Sequence, residues 1–382
     1  MSLIRPMKIC IPTFLTTSQK AGIAFYTINL IDALQKVDSE NEYYLLTYEG
    51  NKEMFDIYKP NFHKIVVPFR EKNRLQLRLF IFYYHAFILR RVLKKYKIDL
   101  VHIPSTWFVS KSLRTVITIH DIVEFKSNRY SKAFSTIKKS MVKSALANAK
   151  NIVTVSEYSK KDLCSIGAKP EKVHVTYNGV NAAAKSVIAD RLVETVLKKY
   201  KLINKKYFLF IGTAQLHKNI PRLISAFDKF NKEYPDFRLV LAGKKDNARE
   251  SIARSIQEMS AGENVIQLDY ISDEEKDVLI KEAAAFVFVS LHEGFGMPIL
   301  EANRYKTPLI VSNVSSLPEV AAGTALYVDP LNVNDIYEKM KVIVENPKTI
   351  NKLVNSAEGN LIRFDWLTTA EKTIDIYKKA LL

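Results

Sequence analysis

Cysteine is scarce in this sequence, with only Cys10 and Cys164 among 382 residues. Two cysteines so far apart in sequence predict neither a disulfide framework nor a metal cluster, which fits a reducing compartment such as the cytoplasm. Cys10 lies in an apolar run and is expected to pack in a core. The sequence also contains no internal repeat and no low-complexity segment.

Long apolar runs are missing as well. The longest run that could suggest a membrane span, Leu79 to Leu89, lies between Arg78 and Arg90. It is too short to cross a bilayer, because a membrane-spanning helix needs roughly 20 apolar residues. The chain leads from Met1 into a strand-like segment without the apolar stretch of a secretory signal. We therefore expect a soluble, cytoplasmic protein, which can still contact a membrane from the inner face.

Acidic residues are under-represented in the first half of the chain. Residues 1–180 carry 29 Lys and Arg against 14 Asp and Glu, whereas residues 181–382 carry 28 against 26. Segment 70–97 alone holds nine basic residues and one acid, Glu71, around the aromatic-rich run 80–84. This pattern suits an anionic membrane surface, or an acceptor with a phosphate and a lipid. A core helix with a solvated basic end explains it equally well, and nucleic acid is disfavoured because no recognised reading motif accompanies the charge.

The length predicts two domains of about 150 to 200 residues each, because 382 residues exceed one ordinary core. Short apolar runs alternate with helix-like segments, which is typical of parallel sheets covered on both faces. The predicted strands lie at 8–12, 43–48, 64–67, 100–103, 115–118, 151–155, 207–212, 238–243, 264–268, 283–289, 307–312 and 325–328. The predicted helices of the first half lie at 22–37, 75–96, 134–149 and 157–166. We thus predict an α/β protein with two doubly wound domains, divided before a polar helical stretch at 182–200.

A glycine-containing loop follows the uninterrupted apolar strand predicted at 283–289. Gly294 and Gly296 allow a sharp turn without a Cβ atom in the way, and Pro298 suits the first turn of a following helix. A helix N-terminus gathers unpaired N–H groups and the positive end of the helix dipole, which together form a ready phosphate site.

Two carboxylates flank that predicted phosphate site. Glu293 precedes the turn and Glu301 lies inside the helix. Carboxylates cannot hold an anion, but they suit sugar hydroxyl groups, which need hydrogen-bond acceptors.

A second phosphate signal follows the first strand of the second half. Gly212 ends that strand, and Lys218 lies just before a helix expected to begin near Ile220. The dipole disfavours a cation at a helix N-terminus unless an anion lies between them, and a diphosphate supplies such an anion.

The sequence Glu-Gly-Phe-Gly-Met-Pro within a Glu-x7-Glu spacing resembles the signature of family 4 of the retaining glycosyltransferases. The spacing of the two acids alone is common in helices, whereas the Gly-Phe-Gly-Met-Pro interior is specific. The resemblance implies the GT-B fold, with two Rossmann-like domains facing each other across a cleft. It implies an acceptor-side domain over 1–181, a nucleotide-sugar domain over 182–364, and closing helices at 365–382 that pack back on the first domain.

The same resemblance implies roles for particular residues. Lys218 and the N–H groups from Phe295 to Met297 stabilise a leaving diphosphate, Glu293 binds the sugar and Glu301 binds the ribose. The implied catalytic residues are His120, Lys218 and Glu293. The implied donor-binding residues are Gly22, Gly212, Lys218, Glu293, Gly294, Phe295, Gly296, Met297 and Glu301. No metal or other cofactor is expected, since Lys218 and helix N-termini neutralise the diphosphate and no Asp-x-Asp motif occurs.

Two positions in the first domain resemble the family less closely. His120-Asp121 follows the strand at 115–118 and matches a motif whose His reaches the transferred sugar, although a structural His is the alternative. Gly22 opens the first helix and is expected to face the diphosphate, but Ala21 replaces a usual glycine. In the second domain His217 replaces a usual arginine, and Arg222 is a possible substitute. Ser156 is expected only to cap a helix.

These observations predict a retaining, metal-independent glycosyltransferase. It moves a sugar from a nucleoside diphosphate sugar to a lipid-linked or polysaccharide-precursor glycan at a membrane surface. Two alternatives are a nucleotide-sugar epimerase of GT-B architecture and a sugar-nucleotide-binding protein without turnover.

Overall fold

The computed structural model describes residues 5–16, 22–70, 73–126, 132–180 and 188–382. It divides into two compact units, one of Met1–Gly179 with Asp365–Leu382 and one of Val180–Phe364. The predicted boundary at residue 181 and the predicted departure at Ala21 lie outside the described residues.

The first unit is built around a parallel sheet. Its strands are β1 (Lys8–Pro12), β2 (Glu42–Tyr48), β3 (Phe62–Val67), β4 (Leu100–Ile103), β5 (Thr115–Thr118), β6 (Asn151–Thr154) and β7 (Val173–Val175). Its helices are α1 (Gly22–Val37), α2 (Arg74–Tyr83), α3 (Leu89–Tyr96), α4 (Val123–Lys126), α5 (Lys132–Asn148) and α6 (Glu157–Ser165). The described strands pair in the order β3-β2-β1-β4-β5-β6-β7, all parallel. The order reverses between β1 and β4, and such a switch point opens a crevice at the carboxyl ends of the strands.

The second unit repeats the plan. Its strands are β8 (Tyr207–Ile211), β9 (Arg238–Ala242), β10 (Val265–Leu268), β11 (Ala285–Phe288), β12 (Leu309–Ser312) and β13 (Leu326–Val328). Its helices are α7 (Asp190–Lys199), α8 (Ile220–Glu233), α9 (Arg249–Gln257), α10 (Asp273–Glu282), α11 (Met297–Arg304), α12 (Leu317–Ala321), α13 (Val333–Glu345), α14 (Pro347–Asn355) and α15 (Ala357–Leu361). The described strands pair in the parallel order β10-β9-β8-β11-β12-β13, with the switch point between β8 and β11. The predicted fold class, two doubly wound parallel α/β units, is confirmed.

Three predicted elements differ from the structure. The strand predicted at 283–289 is buried throughout, but only Ala285–Phe288 are strand residues, and the recorded pairing to β8 and β12 falls within them. The helix predicted at 75–96 is interrupted by a π turn at Tyr84–Ile88, in which Leu89 N–H donates to the Tyr84 carbonyl oxygen. The helix predicted at 182–200 includes residues 182–187, which are not described, and the described part is helical from Asp190.

The last helix, α16 (Trp366–Leu381), belongs to the first unit and is bonded to its sheet. The imidazole of His102 on β4 lies between two hydroxyl groups, with Nδ1 2.6 Å from Tyr377 Oη and Nε2 2.9 Å from Thr118 Oγ1. Each hydroxyl can donate or accept, so the neutral imidazole has both ring nitrogens satisfied. Thr118 also lies 3.2 Å from the hydroxyl of Tyr26 on α1. This buried network joins α16, β4, β5 and α1.

In the part of the chain that the structure describes, no helix combines the length and the apolar character that crossing a bilayer requires.

Burial of His102 makes the stability of the first unit depend on pH. Burial lowers the pKa of His102 to about 3 from its ordinary 6.5, so below pH 6.5 the unfolded chain binds a proton that the folded chain does not. This contribution to stability is complete above pH 6.5, and it falls by about 1.4 kcal/mol per pH unit towards pH 3. Urea unfolding at pH 7 and pH 5 measures it, followed by the fluorescence of Trp107 and Trp366, which both belong to this unit. The His102→Gln variant should lose about that much less stability on acidification, and equal losses in both proteins would contradict the assignment.

Candidate active site

The two strands at the switch point of the second unit deliver the predicted donor-binding loops. After β8, a short 3-10 turn at Leu216–Lys218 leads into α8, with Asn219 in the left-handed region at φ +61°. After β11, the loop 289–296 leads into α11. Because both loops leave the carboxyl ends of neighbouring parallel strands, they meet at one edge of the sheet.

Three contacts tie these two loops together. Leu291 N–H donates to the His217 carbonyl oxygen at 2.7 Å. The side-chain amide of Asn219 donates to Val289 O at 3.1 Å and to Pro330 O at 2.6 Å. Lys218 Nζ lies 2.5 Å from Glu293 Oε1. The structure thus brings together two of the three predicted catalytic residues.

The Lys218–Glu293 ion pair corrects part of the electrostatic prediction. The side chains of Lys218 and Glu293 are only 15% and 13% exposed, so each charge depends strongly on the other. A bound diphosphate was predicted to balance Lys218 near the start of α8, whereas in the structure the Glu293 carboxylate is an anion already in place. Arg222, the possible substitute for the missing arginine, donates one N–H to Asn219 Oδ1 at 2.8 Å.

The glycine loop has the predicted form at the start of α11. Gly296 caps the helix at φ +109°, a backbone conformation that residues with a side chain rarely adopt, and Pro298 lies in the first turn. The ring of Phe295 is buried and packs edge-on against Phe364, with ring centroids 5.6 Å apart. The side chain of Phe295 therefore serves packing, and only its backbone is suited to a ligand. Gly294 precedes it in the same loop.

Hydrogen bonds from a neighbouring loop fix the backbone of this glycine loop. Ser316 Oγ donates to the carbonyl oxygens of Glu293, at 3.0 Å, and Phe295, at 2.9 Å. Glu293 N–H donates to Ser315 Oγ at 3.2 Å. These hydroxyl groups fix the backbone on either side of Gly294.

The second predicted carboxylate also has a lysine partner. Lys276 on α10 places Nζ 3.1 Å from Glu301 Oε1, and both side chains are about a quarter exposed, at 25% and 27%. Burial opposes the charge on Lys276, but the attraction of Glu301 and the hydrogen bond to it outweigh burial and raise the pKa of Lys276. Lys276 therefore stays charged and orients the Glu301 carboxylate.

Gly243 permits a close approach to the backbone of Gly212 at the same edge of the sheet. A Cβ atom on Gly243, which follows β9 at φ +133°, would lie 2.4 Å from the Gly212 carbonyl oxygen. Glycine is therefore required at position 243, where sequence reasoning assigned no role.

In the first unit, His120 lies at the carboxyl end of β5 with a defined tautomer. Its Nε2 lies 3.1 Å from the Pro104 carbonyl oxygen, which can only accept, so Nε2 carries the proton and Nδ1 is the acceptor. Burial lowers the pKa of His120, against the opposing effects of the Pro104 hydrogen bond and Asp121, which keeps the ring neutral. Tyr26 packs edge-on against this ring, with centroids 4.8 Å apart.

Gly22 begins α1, one turn before Tyr26. A Cβ atom there would meet nothing within 4 Å, so packing in the structure does not require glycine at this position. Ser156 caps α6 by accepting from Ser159 N–H at 3.0 Å, as predicted.

Sequence reasoning missed four contributors, namely Lys276, Ser315, Ser316 and Gly243. Only Gly243 carried a readable signal, since it ends a predicted strand just as Gly212 does. The other three lie on elements whose own sequence gives no sign of which loop they face. Among the described residues, no group of three or more His, Cys, Asp and Glu side chains is arranged to hold a metal ion.

The chain is similar to known glycosyltransferases. The family described as Glycosyl transferases group 1 matches residues 194–359, and Glycosyltransferase Family 4 matches residues 21–184. The O-antigen chain mannosyltransferase B of Escherichia coli is 31% identical over 75% of this chain and 76% of its own length. The O-antigen chain mannosyltransferase RfbU of Salmonella typhimurium is 30% identical over 63% of each chain.

Among solved structures, Anabaena Alr3699/HepE in complex with UDP and glucose superimposes with a TM-score of 0.71 at 15% identity. The match covers 97% of this chain and 99% of that one, and at this identity it bears on the fold alone. With two family matches, a relative above 30% identity and two doubly wound units, the chain belongs to Glycosyltransferase Family 4 and is a glycosyltransferase with the GT-B fold.

Proposed function

We propose that this glycosyltransferase moves a hexose from a nucleoside diphosphate sugar to an acceptor hydroxyl group. The observation that carries the proposal is the Lys218–Glu293 ion pair at the switch point, next to the start of α11. A cation beside an amide-rich helix start suits the two phosphates of such a donor. A carboxylate in the same place suits the hydroxyl groups of its sugar.

Charge separation is the difficulty that the site has to overcome. The sugar carbon becomes oxocarbenium-like as its bond to the diphosphate oxygen breaks, and the diphosphate gains negative charge. Lys218 and the N–H groups from Phe295 to Met297 stabilise that charge most when it is largest, at the transition state. As Lys218 turns towards the diphosphate, Glu293 becomes available to the sugar hydroxyl groups. This neutralisation requires no metal ion.

The other predicted residues complete the proposal. Glu301, oriented by Lys276, accepts from the ribose hydroxyl groups. His120 presents a neutral Nδ1 acceptor to position the sugar, and Gly22 offers an N–H at the start of α1. Attack from the face that the diphosphate leaves retains the configuration of the sugar carbon.

The comparisons favour a particular sugar and acceptor. The two relatives described above are named O-antigen chain mannosyltransferases, so we propose mannose as the sugar and a polysaccharide-precursor glycan as the acceptor. The Anabaena structure contains UDP and glucose, which supports a nucleotide-linked donor for this fold.

Removal of the Lys218 charge tests the proposed role of this lysine in stabilising the leaving diphosphate. We expect Lys218→Met to lower kcat/KM by about 10²- to 10³-fold, as for the loss of one electrostatic donor to the transition state. Mass spectrometry of the products from a panel of nucleotide sugars with a lipid-diphosphate acceptor measures the transfer.

A double variant separates catalysis from folding. Lys218→Met alone leaves Glu293 buried without its partner, which destabilises a protein by about 3 to 5 kcal/mol. Lys218→Met with Glu293→Gln removes both charges and should recover much of the unfolding midpoint while transfer stays low. Recovery of transfer in the double variant would show that the pair is only structural.

The ribose role of Glu301 has a chemical test. A hydrogen bond to a charged group contributes about 1.5 to 3 kcal/mol, so Glu301→Gln should raise the donor KM by roughly tenfold or more with little change in kcat. A donor with 2′,3′-dideoxyribose should bind the variant and the wild type about equally. The matched control is Glu358→Gln, which removes the same charge from the exposed pair with Lys306. A full loss of affinity that persists with the dideoxyribose donor would exclude the role.

We also propose that the first unit contacts an anionic membrane. Four large apolar side chains of the 74–96 segment are more than half exposed, namely Leu79, Phe82, Tyr83 and Phe87. Exposed basic residues follow on α3, namely Arg90, Arg91, Lys94 and Lys95. Aromatic and basic side chains in this order suit the boundary between acyl chains and anionic head groups.

Charge reversal on α3 tests the membrane contact. Each basic residue near an anionic surface contributes about 1 kcal/mol, so Arg90→Glu with Arg91→Glu should weaken binding to anionic vesicles by at least about tenfold. Added salt should weaken the wild-type binding as well. Lys348→Glu with Lys352→Glu, an equal change at exposed positions of the second unit, is the control. Sedimentation with vesicles measures binding, and equal binding by all three proteins at every salt concentration would refute the contact.

A further inference from the structure

An apolar cavity of about 370 Å³ lies in the first unit. It lies between the 74–96 helical segment, β4 and the loop 104–114. Most of its lining is aliphatic or aromatic, including Phe82, Leu89, Val101, Ile103, Trp107 and Val109. For comparison, an apolar cavity of about 150 Å³ stays dry and binds benzene. The larger cavity is therefore suited to part of a hydrocarbon chain.

The cavity continues into the exposed aromatic stripe of the helical segment. Phe82 lines the cavity and is 58% exposed, so the same ring forms both an inner wall and part of the surface. Its ring lies 6.0 Å from that of Trp107, edge to face. If a hydrocarbon chain enters beside Phe82, the exposed basic side chains of α3, such as Arg90 and Arg91, remain available to bind a phosphate at the head of that lipid.

One loop links this cavity to the predicted sugar-positioning histidine. The loop begins at Pro104, whose carbonyl oxygen accepts from His120 Nε2, and continues to Trp107 and Val109 in the cavity wall. Val109 is held in place by Ser144, whose hydroxyl lies 3.1 Å from both Val109 N and Val109 O. His120 is therefore hydrogen-bonded to the same loop that forms part of the cavity wall.

We propose that this cavity binds the hydrocarbon chain of a lipid-linked acceptor whose phosphate lies against the basic residues of α3. The charge of α3 selects an anionic head group, and the aromatic lining selects an extended apolar chain over a free phosphate. The identity of the ligand as an acceptor rests on the proposed function. Occupation of the cavity by a hydrocarbon chain does not.

Quenching of Trp107 fluorescence tests occupation without any enzymatic turnover. The chain has two tryptophans, so a Trp366→Phe protein reports on Trp107 alone, with far-UV circular dichroism as the check of its fold. The probe is a long-chain alkyl phosphate brominated along its chain, used below its critical micelle concentration, because bromine quenches a nearby indole. We expect saturable quenching. Quenching that rises linearly without saturation would overturn the proposal.

Two serine substitutions form a matched pair within this assay. Ser110 lines the cavity and Ser112 does not. Their hydroxyl oxygens are 2.9 Å apart, so either substitution removes this hydrogen bond, and Ser110→Phe also removes the 3.4 Å bond from Ser112 N–H. Ser110→Phe should fill the cavity and weaken binding of the probe by about tenfold or more, since several methylene groups of the probe are no longer buried. Ser112→Phe should leave binding nearly unchanged. Equal affinity in the two variants would show adsorption outside the cavity and overturn the proposal.

The acceptor is distinguished from bulk membrane lipid by chain length. In transfer assays the wild-type acceptor KM should rise when the long chain is shortened, whereas Ser110→Phe should give a high KM with either acceptor and an unchanged donor KM. An equal KM for long and short acceptors in the wild type would overturn the assignment. Saturation of the cavity by brominated phospholipid vesicles at the same affinity as by the alkyl phosphate would overturn it too. Absence of transfer from every nucleotide sugar would instead refute the proposed function and leave the quenching result standing.

Discussion

Charge compensation between Lys218 and Glu293 is the interaction on which the second unit's site depends. Both side chains are largely buried, and neither would be stable as an isolated charge at that depth. The pair also joins loops from two strands that are adjacent in the sheet but distant in sequence, β8 and β11. Removing the pair would therefore disturb the geometry of the loops as well as change the charge of the site. The diphosphate of the proposed donor would replace one anion beside Lys218 by another, so that the lysine would keep a counter-ion throughout.

Much of the architecture was predictable because the strands are short and apolar and most of them are followed by a helix. The predicted helix at 22–37 and the strands at 8–12, 100–103 and 115–118 have the observed bounds. The glycine loop was predictable for a different reason. Gly296 occupies a left-handed position and Pro298 the first helical turn, and few other residues fulfil either requirement. The alternation also identified the sheet edge that carries the site, since parallel strands deliver every following loop to one side.

Pairwise contacts across the fold were less predictable. Lys276 is one of many lysines on polar helix faces, and nothing in its neighbourhood indicates that Glu301 lies 3.1 Å away. The hydroxyl groups of Ser315 and Ser316 hold the glycine loop from a segment some twenty residues downstream. The anion beside Lys218 was missed because the argument from the dipole of α8 considered only local sequence. Local pattern specifies an element, whereas charge pairing is a property of the assembled sheet edge.

The π turn at Tyr84–Ile88 keeps the aromatic and basic side chains of this segment in line. A turn closed by i→i+5 bonds holds one more residue than an α turn, so α3 keeps the phase relative to α2 that it would have with one residue fewer. Regular α winding of the same residues would turn Arg90 and Arg91 by about 100° around the axis relative to Leu79 and Tyr83. Composition and net hydrophobicity would not change, yet the amphipathic surface would be split into two unrelated faces. The proposed membrane contact thus depends on the phase of this helix as much as on its residues.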